Sequence, residues 1–300
     1  MRHVERFNRL LVNTVDLDQS RLDDLDSRVG AIMRYLRGDA TLGALIVTHV
    51  PQGSWAHRTI IKPVPNDEFD ADILLQLRDV RDWSREPRRY IDEVHRAFGR
   101  SGRYRDLTER KNRCVRIHYA NQCHVDIVPY LVRGFFPLER KVIVNRAENH
   151  FEPTDPDGFT AWIRHQDGRT NGNLRKAIRL FKYLRDRKDA FVIPSVILTT
   201  VLGKQVHWWW ELAERYQDLP TAFTTLTASM DRWLQQYSSV PRIPDPSGSG
   251  ATFHHRWNEH SFMHFRNEVH GLATKTREAY AEKDQGSSIR LWQRVFGPSF

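Results

Sequence analysis

Along residues 18 to 37, DQSRLDDLDSRVGAIMRYLR, apolar residues recur at three- and four-residue steps (Leu22, Leu25, Val29, Ile32, Met33, Leu36). The spacing predicts one long amphipathic helix. GALIVTHV, residues 43 to 50, is a β-rich run ended by PQGS, and the prolines of KPVPN predict an irregular loop before the next strand. Residues 70 to 77 read as that strand. Asp70, Asp72, Leu74 and Gln76 fall on one face and Ala71, Ile73, Leu75 and Leu77 on the other. Residues 86 to 99 read as a helix ending at Gly99, and 113 to 119 with 123 to 131 as a hairpin. Beyond residue 155 the period is helical almost throughout: 156 to 167, 171 to 187, 193 to 202, 205 to 216, 219 to 236 and 258 to 282. The turn-rich SSVPRIPDPSGSGATF interrupts it. An α/β half, residues 1 to 150 with the long helix, thus precedes an α-helical half, residues 151 to 300, with no internal repeat.

Composition narrows the class. No window approaches the roughly 18 apolar residues of a membrane span. The first residues carry no apolar core followed by a cleavage site, so a cytoplasmic protein is expected. The net charge of +9 and pI near 9.7 favour polyanionic partners, with the basic residues spread through helices and no basic tail. Cys114 and Cys123 would be neighbours across the predicted hairpin, and free thiols are expected in a cytosol. A zinc site made of these cysteines with His118 and His124 lacks the paired C-x-x-C spacing.

The two aspartates at the start of the strand 70 to 77 raise a chemical question. Attachment points about 7 Å apart on one strand face place two like charges close together, which is unfavourable without a cation between them. A divalent metal answers it economically, because Mg²⁺ takes carboxylate oxygens together with substrate phosphates. In CHVDIVPY, Asp126 stands on a second strand with the same design, so pairing of the two strands would gather three acids. Such a triad suits two-metal phosphoryl or nucleotidyl transfer. A lone D-x-D is more commonly a pair of solvated charges. Here Gln52-Gly53-Ser54 precedes it, at a strand end where backbone N–H groups and a hydroxyl can meet a phosphate.

The ordered set Gly53-Ser54, Asp70-x-Asp72 and Asp126 resembles the polymerase-β-like nucleotidyltransferase superfamily. QGSWAHRTIIKP followed by EFDADILL resembles, more narrowly, the bacterial cGAS/DncV-like nucleotidyltransferases, the CD-NTases of anti-phage signalling. LRKAIRLFKYLRD, IPSVILTTVL, IPDPSGSGATFHHRW and LWQRVFGPSF extend the resemblance over nearly the whole chain. It implies an α+β fold: a nucleotidyltransferase core with a mixed β-sheet, then an α-helical domain, with the active site in the cleft between them. One departure is Arg58, where many relatives carry a small residue. In the helix 174 to 187, Arg175, Arg179 and Lys182 form a basic face; such a face is usually solvated, but the resemblance places Lys182 on nucleotide phosphates. It places Ser195 there too, although a serine in IPSV also suits a helix N-cap.

The resemblance implies two Mg²⁺ ions, or Mn²⁺ in their place, on Asp70, Asp72 and Asp126. Gln52, Gly53, Ser54, Lys182 and Ser195 would bind the nucleotide. Nucleoside triphosphates, ATP among them, would be condensed into a cyclic di- or trinucleotide for an effector, with no membrane and no nucleic-acid activator indicated. The rivals are nucleotide transfer to RNA or protein, and a silent nucleotide-binding module. HWWWELAERY at 207 to 216 is expected to serve packing, His260 and His264 lack the partners of a zinc motif, and Glu68 is expected to be solvated.

Overall fold

A computed structural model of the chain describes all residues except 65–67, 121–122, 135–138, 189–190 and 208–211. Strands β1 (Ile46–Gln52), β2 (Phe69–Leu77), β3 (Thr108–Arg110), β4 (Val115–Tyr119), β5 (Cys123–Arg133), β6 (Arg140–Asn145) and β7 (His150–Pro153) form one mixed sheet. Its order is β1-β2-β5-β4-β3, with β6 joined to the far half of β5 and β7 to β6. The β2–β5 pair is parallel and the others are antiparallel. The predicted strand and hairpin are present, whereas β6 and β7 have no counterpart in the expected pattern.

The helices are α1 (Val4–Leu10), α2 (Gln19–Gly38), α3 (Gly53–Ala56), α4 (Arg88–Gly99), α5 (Pro156–Arg169), α6 (Asn173–Lys188), α7 (Ser195–Lys204), α8 (Leu212–Arg215), α9 (Leu219–Leu234), α10 (Glu259–Ala281) and α11 (Gln285–Phe296). Asp18, Asp155, Asp218, Asn258 and Asp284 cap five of them, each side chain accepting a backbone N–H from the first turn. The helix expected over 205 to 216 is not continuous, since Gln205 to His207 leave helical geometry after α7. The tryptophans at 208 to 210 lie outside the described residues.

Two buried cores lie side by side. The first joins α2 and α4 to the sheet through Leu25, Ile32, Leu36, Ile73, Leu75, Val94, Phe98, Val125 and Ile127. The second gathers α6, α7, α9, α10 and α11 around Phe181, Leu198, Phe223, Phe265, Trp292 and Phe296. The chain's first turns belong to this second core: Phe7, fully buried, lies 4.9 to 5.4 Å from the rings of Trp292, Phe296 and Phe300, edge-on to each.

Among the described residues no helix is long and apolar enough to cross a membrane. Both cysteines are free and buried. The hairpin register explains why they do not pair: Cys123 faces Tyr119, and Val115 faces Ile127, so Cys114 stands at the opposite end.

Candidate active site

Sheet register assembles the site. Gln52 at the end of β1 is opposite Asp72 on β2, Asp72 is opposite Asp126 on β5, and Asp126 is opposite Arg116 on β4. One cross-strand row therefore carries the residue that leads into the Gly53-Ser54 turn, two acids and a guanidinium. Asp70 lies one step along, opposite His124, which is itself opposite His118. Below this polar face, Ala71, Ile73 and Leu75 are completely buried, so the apolar side of β2 anchors its acidic end.

The turn after β1 presses against this row. Gly53 has φ +61°, and a Cβ there would run into the Asp72 carboxylate, so glycine is required on two counts. The turn closes with His57 N–H donating to Gly53 O (3.0 Å) and Thr59 N–H to Ser54 O (2.8 Å). Arg58 adopts φ +55°, the left-handed backbone a glycine takes without strain.

From the helical side, Lys182 is buried and its Nζ donates to Thr59 O at 2.9 Å. Burial, and then the positive charge of Arg185, lower its pKa to about 7. The basic face of α6 is not solvated. Arg175 pairs with Asp167 at 3.4 Å, while Arg179 stands 2.9 Å from Asp16 and donates to Arg58 O at 3.2 Å. The Arg179 Nε–H is not aligned for a hydrogen bond to Asp16, so that contact is a plain ion pair. Ser195 does not cap α7; Pro194 holds the cap position, and the Ser195 hydroxyl accepts from Arg185 at 3.0 Å.

The acids differ electrostatically. Arg116 forks onto Asp126 at 2.8 and 2.9 Å and reaches Asp70 at 3.6 Å. Among the described residues no donor meets the Asp72 carboxylate, and burial, then the charges of Asp126 and Asp70, push its pKa up to about 7. Burial and Asp126 also keep the Cys114 thiol protonated. The three carboxylates are hard oxygen donors on one face, with a charge excess a divalent cation would relieve. Among the described residues, however, no three acid, His or Cys side chains already close round a single point as a metal site. This holds too for His260 with His264, and for the cysteines with His118 and His124. Glu68 is not solvated: its carboxylate meets His124 Nε2 at 2.8 Å.

All eight residues expected from the sequence, Gln52, Gly53, Ser54, Asp70, Asp72, Asp126, Lys182 and Ser195, line one cavity of about 720 Å³ between the sheet and the helices. Sequence reasoning missed other parts of its wall. His57 stacks on Phe159 with ring centres 5.0 Å apart, and burial lowers its pKa to about 4. Arg113 forks onto Glu152 at 2.7 and 2.8 Å, whereas Arg256 lines the cavity within the field of Glu152 and Asp72 and makes no side-chain hydrogen bond or salt bridge among the described residues. Arg116 was within reach, because a hairpin with Tyr119 opposite Cys123 sets Arg116 opposite Asp126.

The family model for the SMODS domain (Second Messenger Oligonucleotide or Dinucleotide Synthetase) matches residues 1–167. The chain belongs to this family. A c-di-GMP synthase of Roseivirga ehrenbergii is 28% identical over 220 residues, 65% of this chain and 58% of that protein, so the match spans less than two thirds of that synthase. A cyclic AMP-AMP-AMP synthase of an Acinetobacter species is 23% identical over 97% of this chain and 83% of its own length. In structure, the CD-NTase CdnG of Bradyrhizobium diazoefficiens, solved in complex with GTP, superposes with a TM-score of 0.75 at 18% identity, over 97% of this chain and 94% of that one. The expected fold, a polymerase-β-like core followed by helices, is thereby borne out.

Proposed function

We propose that this chain is a template-independent nucleotidyltransferase that condenses nucleoside triphosphates, ATP among them, into a cyclic di- or trinucleotide. The carrying observation is the convergence of the acids, the Gly53-Ser54 turn and Lys182 on one cavity. The relatives named as cyclic-nucleotide synthases support the same reading.

In this reading the donor triphosphate lies between the turn and α6. Backbone N–H groups at Gly53 and the Ser54 hydroxyl donate to its oxygens. Lys182, whose pKa is lowered by burial, holds its proton more firmly as the polyanion arrives and becomes its counter-charge. Gln52 and Ser195 complete the walls. Asp70, Asp72 and Asp126 would hold two Mg²⁺, or Mn²⁺ in their place, which supply neutralisation of the phosphates and activation of the attacking hydroxyl. Asp126 receives the proton of the acceptor ribose hydroxyl as its oxygen bonds to the donor α-phosphorus and pyrophosphate departs. A second transfer within the same cavity closes the ring. The product would be released in the cytosol to an effector of anti-phage defence.

Incubating the purified protein with Mg²⁺ and the four NTPs tests this reading. Phosphatase-resistant product formed from NTPs alone is the expected result. A strict requirement for added RNA or protein, with nucleotide ending on that acceptor, would replace it with the transfer reading.

A further inference from the structure

Arg116 stands at the end of the row Gln52–Asp72–Asp126, held there by the β4–β5 register and not by a flexible loop. Its two forked contacts occupy both oxygens of Asp126, and its third reach is to Asp70. Asp126 is buried, with 8% of its surface exposed, so the fork replaces water that the carboxylate would otherwise keep. Asp72, the neighbour on the other side of Asp126, has no such partner among the described residues. The protein thus supplies its own cation to one of two adjacent acids.

We propose that Arg116 is a built-in counter-cation that places the Asp126 carboxylate and competes with divalent ions for it. The inference rests on the reading that the three acids hold cations. An ionised carboxylate has about four lone-pair sites, and the fork uses one on each oxygen. Asp126 can therefore still ligate, but an incoming dication must lie within a few ångströms of a fixed guanidinium. The bare acid group then binds metal more weakly than three carboxylates alone would. Loading becomes coupled to the nucleotide, whose phosphates bring the negative charge that Arg116 offsets. Arg116 acts through Asp126 and is a positioning residue.

The test is Mn²⁺ titration of the full chain without nucleotide, reading free Mn²⁺ by electron paramagnetic resonance and the melting temperature in parallel. Arg116→Gln, which removes the charge, should bind Mn²⁺ about tenfold more tightly than wild type. Arg116→Lys, which keeps the charge but loses the fork, should stay within about threefold of wild type in Mn²⁺ affinity. Both should lose at least about tenfold in kcat at saturating Mn²⁺. Unchanged or weaker Mn²⁺ binding by a folded Arg116→Gln overturns the proposal. Should that variant not fold, Mn²⁺ binding by Arg116→Lys more than threefold weaker than wild type overturns it instead, since loss of placement alone would then set the affinity. Wild-type protein that binds no Mn²⁺, with or without ATP, would end the acid-site reading itself. Measurable wild-type binding that a folded Arg116→Gln leaves untouched would end only the inference about Arg116.

Discussion

Gly53 and Arg58 bracket the same turn and share left-handed backbone, yet only one of them is a glycine. At Gly53 the adjacent Asp72 forbids any side chain, whereas the Arg58 side chain projects to solvent and only its backbone is strained. Left-handed backbone costs an L-residue about 1–2 kcal/mol, against about 0.5–1 kcal/mol of extra chain entropy for glycine. Arg58→Gly should therefore leave the melting temperature unchanged or raise it by a few degrees, with activity retained. A drop of several degrees would show that the arginine side chain contributes contacts of its own. Asp72 carries the opposite conflict. Its folded pKa, about 7, is raised, so the folded state holds the proton more tightly than the unfolded one. Stability is therefore lost as pH rises from about 4 to 7 and stays reduced above that window. Asp72→Asn should abolish synthesis and stabilise the protein by about 1–3 kcal/mol at pH 8, with the gain gone near pH 3.5. Thermal melts across pH check this; equal melting of variant and wild type at pH 8 would contradict it. The acids were legible because alternation on a strand is local. Their unequal pairing was not, because it depends on which side chain the neighbouring strand presents.

The same contrast holds among elements. α2, α4, β2 and the hairpin followed from hydrophobic period and turn chemistry. β6 and β7 did not: β6 is only half-buried along most of its length, and β7 is four residues ending in proline. α1 is seven residues, too short for its period to stand out. α6 was legible as a helix and Lys182 as a cleft residue, but the partners of Arg175 and Arg179 on the same face were not. Charge at helical spacing says which residues share a face, not what lies against it. Here it lies against loop 58–62, whose carbonyls at Arg58 and Thr59 accept from Arg179 and Lys182. Lys182 has a lowered folded pKa, so the unfolded chain binds more protons between about 7 and 10.5 and stability rises with pH through that window. Lys182→Met should accordingly melt higher than wild type at pH 7, with the advantage fading toward pH 10. Its KM for NTPs should rise at least about tenfold. A variant with unchanged KM would contradict the phosphate role proposed for Lys182.

At the scale of the molecule, the chain crosses its own boundary. Residues 7 to 15 enter the helical core, and Lys62 N–H then donates to Val15 O at 2.8 Å, fastening the segment before the acid strand to that core. Composition and period could not reveal this, because Phe7 meets Trp292, Phe296 and Phe300 from the opposite end of the chain and Val15 meets Lys62 across the whole of α2 and β1. Phe7→Ala should cost about 3–5 kcal/mol of stability, as expected for a fully buried aromatic. Denaturant unfolding measures it, and a loss below 1 kcal/mol would mean that the first turns are dispensable. The central claim, that Asp70 and Asp72 make this cavity a synthase of cyclic nucleotides, is met most directly by mass spectrometry. Wild type and the Asp70→Asn, Asp72→Asn double variant are incubated side by side with Mg²⁺ and mixed NTPs. The account predicts a cyclic di- or trinucleotide from wild type and none from the double variant. Equal product from both proteins would contradict it.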